Sequence, residues 1–182
     1  GEISAGAGFG TSGKSFTVGI KENNFNGNSV KLDTNFTIGS NSVQGAVNFL
    51  VPNYKYSDKS LNGALSRTDS DFLSTAGYKN KLNRASVGTS FEQRENFYFS
   101  PSLTLEYETL ETSSTASANL KKQEGDYYNI NFEYGLFYDQ RDQMYAPTEG
   151  YYSNFRQEIP VYSNSYFLVN SYAVSYTHLR AH

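Results

Sequence analysis

The stretch Tyr128–Tyr152, YNINFEYGLFYDQRDQMYAPTEGYY, decides the fold. Tyr128, Ile130, Phe132, Tyr134, Leu136 and Tyr138 alternate with Asn129, Asn131, Glu133, Gly135, Phe137 and Asp139. A period of two belongs to a strand with two unlike faces, whereas a helix would repeat near 3.6. The stretch reads as strand, turn, strand, with Pro147 and Gly150 shaping the turn. In a soluble sandwich the aromatic face points into a core. In a membrane barrel it points outward to lipid, and the polar face lines a wet lumen.

Composition favours the barrel. Only 37% of residues are hydrophobic and mean hydropathy is -0.60, low for a compact soluble core and usual for a barrel with a polar interior. The 16 Tyr and 13 Phe suit the aromatic girdles at the two membrane surfaces. Without cysteine there is no disulfide or thiolate chemistry. A net charge of -3 offers no basic footprint for nucleic acid, so none is expected as a partner. No apolar run approaches the roughly 20 residues of a membrane helix. The first residues carry no signal peptide, so an exported protein would have its true N-terminus upstream.

Outward from the deciding stretch, the chain reads as further hairpins. Gly1–Gly10 is a glycine-rich first strand, with a turn at Thr11–Lys14. Phe16, Val18 and Ile20 mark the second strand's apolar face. After the turn dipeptide Asn26-Gly27, Val30, Leu32, Thr34, Phe36 and Ile38 mark the third; Val43, Val47, Phe49 and Val51 mark the fourth, which stops at Pro52. Leu61–Asp69, Tyr78–Phe91 and a strand around Leu103, Leu105 and Tyr107 follow. A solvated Ser/Thr/Lys-rich loop, Glu111–Gly125, precedes the deciding stretch. Tyr151–Val161 and Ser165–Ala173 form the last hairpin. About ten strands result, several near the ten residues needed to cross a bilayer at a tilt, and no helix is expected. With Gly1 on the inner side, the longest loop falls outside the cell, as in bacterial outer-membrane barrels. The soluble sandwich is the remote option, disfavoured by strand length.

Val174–His182, VSYTHLRAH, breaks the strand pattern and resembles the translation of a transposase adapter used in sequencing libraries. On that reading residues 1–173 are natural barrel, whereas 174–182, with His178, Arg180 and His182, are not. No histidine base then remains for a nucleophilic triad. Asp139, Asp142 and Glu149 are read as solvated, or paired with a neighbour such as Arg141, ahead of any metal or catalytic role. Gly6-Ala7-Gly8-Phe9-Gly10 lacks the helix that a phosphate loop requires. Asn35-Phe36-Thr37 fits a glycosylation triplet but sits in a strand. No enzyme activity, cofactor or metal is expected.

The run Tyr138-Asp139-Gln140-Arg141-Asp142, followed by Ala146-Pro147-Thr148-Glu149-Gly150-Tyr151-Tyr152, resembles the strand-turn-strand motif YDxRDxxxxPTxGYY of the bacterial surface-antigen, or BamA-like, barrels. GEISAGAGFG, SFTVGIKENNFNGNS and the strand ending Val51-Pro52-Asn53-Tyr54 are similar to the first four strands of that family, and the likeness covers residues 1–173. It implies an all-β, antiparallel up-and-down transmembrane barrel of roughly sixteen strands, preceded by POTRA domains absent here. About ten strands are present, and the sheet is expected to be open or incompletely closed. It also implies assembly of other barrels in the bacterial outer membrane. The partners would then be outer-membrane lipids, unfolded outer-membrane client proteins and accessory lipoproteins. In this family the barrel seam uses the first strand, so Gly1, Gly6, Gly8 and Gly10 are the candidate lateral-gate residues. Tyr138, Asp139, Arg141, Asp142, Pro147, Thr148, Gly150 and Tyr151 carry the turn motif. A passive porin-like barrel, or a related translocation or secretion barrel, remains the alternative.

Overall fold

The computed structural model describes residues 1–10, 13–164 and 166–178. Ten strands follow in chain order: β1 (Glu2–Gly10), β2 (Gly13–Phe25), β3 (Val30–Gly39), β4 (Ser42–Val51), β5 (Ser60–Phe72), β6 (Tyr78–Arg94), β7 (Phe97–Thr112), β8 (Gly125–Asp139), β9 (Glu149–Tyr162) and β10 (Val169–His178). Each pairs antiparallel with the next, and the single sheet stays open between β1 and β10.

Register sorts the side chains into two faces. Ile20, Thr34, Val47, Leu65, Ala85, Leu105 and Ile130 stand in one cross-strand row. The adjacent row, on the other face, is Gly19, Asn35, Ala46, Ser66, Arg84, Glu106 and Asn129. Among the described residues no hydrophobic side chain is buried; Leu65 is 61% exposed and Phe36 48%. The buried polar side chains are instead Thr104 and Asn131, at 5% and 8%. This inverts a soluble protein, because no second sheet covers the apolar face. Hydrocarbon is the cover that removes it from water. The sandwich is thereby excluded.

The other face is bonded within itself. Arg84 Nε donates to Glu106 at 2.6 Å, Thr104 Oγ1 to Glu133 at 2.9 Å, and Asn131 Nδ2 to Glu158 at 2.6 Å. The Ser90 and Ser100 hydroxyls meet at 2.7 Å. Such a face suits a wet lumen. We therefore call it inward and the apolar face outward.

Several boundaries differ from the sequence reading. Strands β5, β6 and β7 run well past the expected limits. Outward positions at these ends hold Arg67, Asp69, Lys79 and Lys81 within the expected spans and Asp71 and Glu111 beyond them, and this charge hides the apolar alternation. Lys81 pairs across strands with Glu111 at 3.0 Å and Lys79 with Asp71 at 3.4 Å, so backbone pairing continues beyond the apolar band. Pro101 lies inside β7, where the β6–β7 pairing skips from Gly88–Ser102 to Phe91–Phe99. A missing N–H is tolerated at such a gap. The loop from Glu111 to Gly125 is not wholly irregular: it holds a one-turn helix, α1 (Ala118–Lys121), whose Leu120 N–H donates to the Ser117 hydroxyl. Tyr54–Tyr56 add a turn of 3-10 helix.

Strand β10 begins at Val169 rather than Ser165 and continues to His178, so the break expected at Val174 is not seen. Backbone pairing with β9, from Val174↔Ser153 to His178↔Glu149, needs no side-chain alternation. Ser165 and Leu179–His182, including Arg180 and His182, lie outside the described residues. So do Thr11 and Ser12 of the expected first turn, whereas Gly13 and Lys14 already belong to β2. At the next turn Asn26 and Gly27 both take positive φ, 53° and 70°, as a tight primed hairpin turn requires.

Candidate functional site

Two groups of residues carry functional expectations, and the fold keeps them apart. The turn motif joins β8 to β9, whereas the glycines lie along β1, at one edge of the sheet.

The turn is built from its carboxylates. Asp139 ends β8, and Arg141 returns to it through a two-pronged pair, Nε–Oδ1 at 2.8 Å and Nη2–Oδ2 at 2.6 Å. The same guanidinium stacks over the Tyr152 ring, 4.6 Å from its centre. Asp139 and Tyr152 are cross-strand partners on the inward face, where Phe137 and Tyr98 extend the aromatic row. Asp142 holds the far side: its carboxylate accepts from the Thr148 N–H at 3.0 Å, the Thr148 hydroxyl at 2.6 Å and the Glu149 N–H at 3.2 Å. The Thr148 hydroxyl, then the Glu149 amide, keep its pKa below the ordinary carboxylate value. Both aspartates are thus occupied in holding the turn: Asp139 with Arg141, the neighbour named from the sequence, and Asp142 with Thr148 and the Glu149 amide, which were not.

Backbone bonds from Gln140 N to Tyr151 O at 2.9 Å and from Asp142 N to Glu149 O at 3.0 Å bring the two arms together. Pro147 follows Ala146, which takes φ 50°. Gly150 has φ 103°, and a Cβ there would overlap the Gln140 carbonyl oxygen. Tyr138 and Tyr151 stand on the outward face with ring centres 5.9 Å apart. The sequence reading omitted Tyr152 from the site. Its signal was available: neighbouring tyrosines in a strand face opposite ways, so the second one meets Arg141. It also omitted Asn96, whose carbonyl accepts from the Asp139 N–H at 3.0 Å and ties this turn to the β6–β7 turn.

On β1, Gly6 lies opposite Thr17 and Gly8 opposite Ser15, both on the inward face, whereas Ile3 and Phe9 point outward, about 80% exposed. Gly10 pairs with Gly13, and Gly1 lies just ahead of β1 instead of within it. A Cβ at Gly6 would meet nothing within 4 Å, and one at Gly8 would come within 3.0 Å of the Ser15 hydroxyl. Crowding therefore does not require glycine at Gly6. The side-chain bond nearest this strand's centre is weak, Ser4 Oγ to Gly19 O at 3.5 Å.

An antiparallel, lipid-facing sheet with a bonded polar interior defines the class: a segment of a transmembrane β-barrel. Residues 24–180 match the Omp85 superfamily domain, and the chain belongs to that superfamily. Its members are non-enzymatic assembly and translocation barrels of the bacterial outer membrane. Among solved structures the fold is similar to that of BamA from Haemophilus ducreyi lacking POTRA domains 1–3, with a TM-score of 0.66 and 23% identity over 88% of this chain. The match covers 34% of that chain, so the sequence spans about a third of its length. No curated protein matches.

Proposed function

We propose that this chain is the leading part of the barrel of an outer-membrane assembly factor, and that β1 passes its pairing edge to the terminal strand of an unfolded client barrel. The observation that carries this reading is the state of β1. Its inward face carries Gly6 and Gly8, and the space around Gly6 would admit a side chain. An unpaired strand edge is a template for another strand. In hydrocarbon such an edge is costly to leave open, which gives a client strand a reason to bind. Glycines hold that edge weakly enough to be exchanged. Clients, lipids and accessory lipoproteins are the partners of this reading; neither nucleotide nor metal enters it.

The test is Gly6→Val in the full-length protein, reconstituted in vesicles with an unfolded client barrel. The open space at Gly6 lets the variant fold, and the stiffer β1 should slow client assembly severalfold. An unchanged assembly rate would remove the gate and leave a translocation, secretion or passive porin-like barrel.

A further inference from the structure

We infer that the outward face at the β6–β7 turn is a binding site for an anionic phospholipid of the inner leaflet, with Arg94 as the phosphate ligand. The inference rests on the outward face meeting lipid, and not on the client-templating reading.

The argument starts from a bulge. Phe91 pairs with Phe99 and Glu92 with Tyr98, but Arg94, not Gln93, pairs with Phe97. Strict alternation would turn residue 94 inward with Glu92. The extra residue reverses this and places Arg94 on the outward face with Phe91, Phe97 and Phe99. Bulges re-aim side chains in this way. Glu92 stays inward, and its carboxylate accepts from the Asn96 N–H at 2.6 Å.

An apolar hollow of about 650 Å³ lies beside Arg94, floored by Phe97, Phe99, Leu136 and Tyr138. Gln93 and Glu95 complete its rim. A second cation reaches the same patch from the β4–β5 connection, where Lys59 Nζ stands 5.1 Å from the centre of the Phe91 ring. That ring is edge-on to Phe99 at 5.8 Å. Neither Arg94 nor Lys59 makes an ion pair among the described residues. Toward the opposite end of the sheet Arg67, Lys79 and Lys81 are each paired with a carboxylate on the same face.

Two uncompensated cations beside an aromatic floor match a lipid with an acyl chain below and a phosphate above. The planar guanidinium fork fits phosphate oxygens in two-pronged geometry. The longest connection, with α1, lies at the opposite end of the sheet and is the cell-exterior loop, which puts this hollow in the inner, phospholipid leaflet.

The experiment uses the full-length protein, incorporated into vesicles of equal parts dioleoylphosphatidylglycerol and dioleoylphosphatidylcholine, then extracted in mild detergent for native mass spectrometry. The unsubstituted protein and Arg94→Lys should retain phosphatidylglycerol preferentially. Arg94→Gln should lose that preference about fivefold, the share of one cation near an anionic surface. In a second measurement that leaves Arg94 in place, a photoreactive benzoylphenylalanine at Gln93 should capture phosphatidylglycerol over phosphatidylcholine. Equal retention by Arg94→Gln while the protein still floats with vesicles, or capture without headgroup preference, would overturn the site and leave the membrane face standing.

Discussion

Replacing Gly150 with alanine tests the turn that joins β8 and β9. At φ 103° the backbone is in a region that L side chains rarely adopt, at a cost of roughly 1–2 kcal/mol for alanine. The added Cβ would also overlap the Gln140 carbonyl and approach Arg141 Cα to 2.9 Å, both of them backbone atoms that cannot rotate away. Relief requires the arms to part, which breaks at least the Gln140 N–Tyr151 O bond at 2.9 Å, worth about 0.5–1.5 kcal/mol. Together these give a loss of about 1.5–3.5 kcal/mol. Gly135→Ala in β8 is the control: its Cβ would meet Ser100 Cβ at 3.8 Å, an ordinary contact, so little change is expected. Urea unfolding of the full-length protein in vesicles, followed by far-UV circular dichroism and gel mobility, reads both. If Gly150→Ala costs no more than Gly135→Ala, the turn is not held as the bonds around it imply.

Two further predictions concern the same turn and the faces. The pKa of Asp142 lies below its ordinary value of 3.8, so its contribution to turn stability is complete above that value and is lost as pH falls through the lower folded value. The protection of the Thr148 and Glu149 amides, relative to intrinsic exchange, should therefore be full at neutral pH and fall below about pH 4, and in Asp142→Asn it should be lower at neutral pH and lack that pH dependence. On the faces, Leu65→Arg places a cation on the outward face in the middle of the apolar band and should destabilise the barrel by about 2–4 kcal/mol. Asn48→Arg, inward and opposite Asp33, should be near neutral in the same unfolding measurement; similar costs for the two would mean the faces are assigned wrongly.

The fold was legible wherever one face is apolar without interruption. From Tyr128 to Tyr138 and from Val30 to Ile38 the period of two gave both strand and face, because a slip of one residue would turn every apolar side chain the wrong way. Where charge stands outward the strands were legible over Leu61–Asp69 and Tyr78–Phe91, but their extensions to Phe72 and Arg94 were not. Arg67, Asp69, Lys79 and Lys81 share a face with Leu65 and Ala85, but they lie past the apolar band, and ion pairs across strands do there what hydrocarbon does lower down. Pro101 obscured β7 for a different reason: its missing N–H matters only on the side toward β6, which sequence does not reveal. In the turn, the Asp139–Arg141 pair was legible from proximity along the chain. The inward place of Tyr152 could be read from its alternation with Tyr151, whereas the Asn96 carbonyl could not, since it arrives from the β6–β7 turn. The bulge at Gln93 was hidden altogether, because one residue added to a polar stretch leaves no mark on its pattern.

These features make the sheet unequal from side to side. Its middle strands are locked twice, by ladders and by inward side-chain bonds running Arg84–Glu106, Thr104–Glu133 and Asn131–Glu158 across β6 to β9. At β2 and β3 the inward face still carries the Thr17–Thr37 hydroxyl contact at 2.9 Å. At β1 that reinforcement fades to the long Ser4–Gly19 bond, because glycine has no side chain to contribute. Local opening in a protein follows the element with the least to lose, and β1 has few side-chain bonds to lose. A barrel that only lined a pore gains nothing from so uneven a wall. On the proposed function, exchange of a pairing edge for a client's strand would use β6–β9 as the rigid flank and β1 as the loosely held strand.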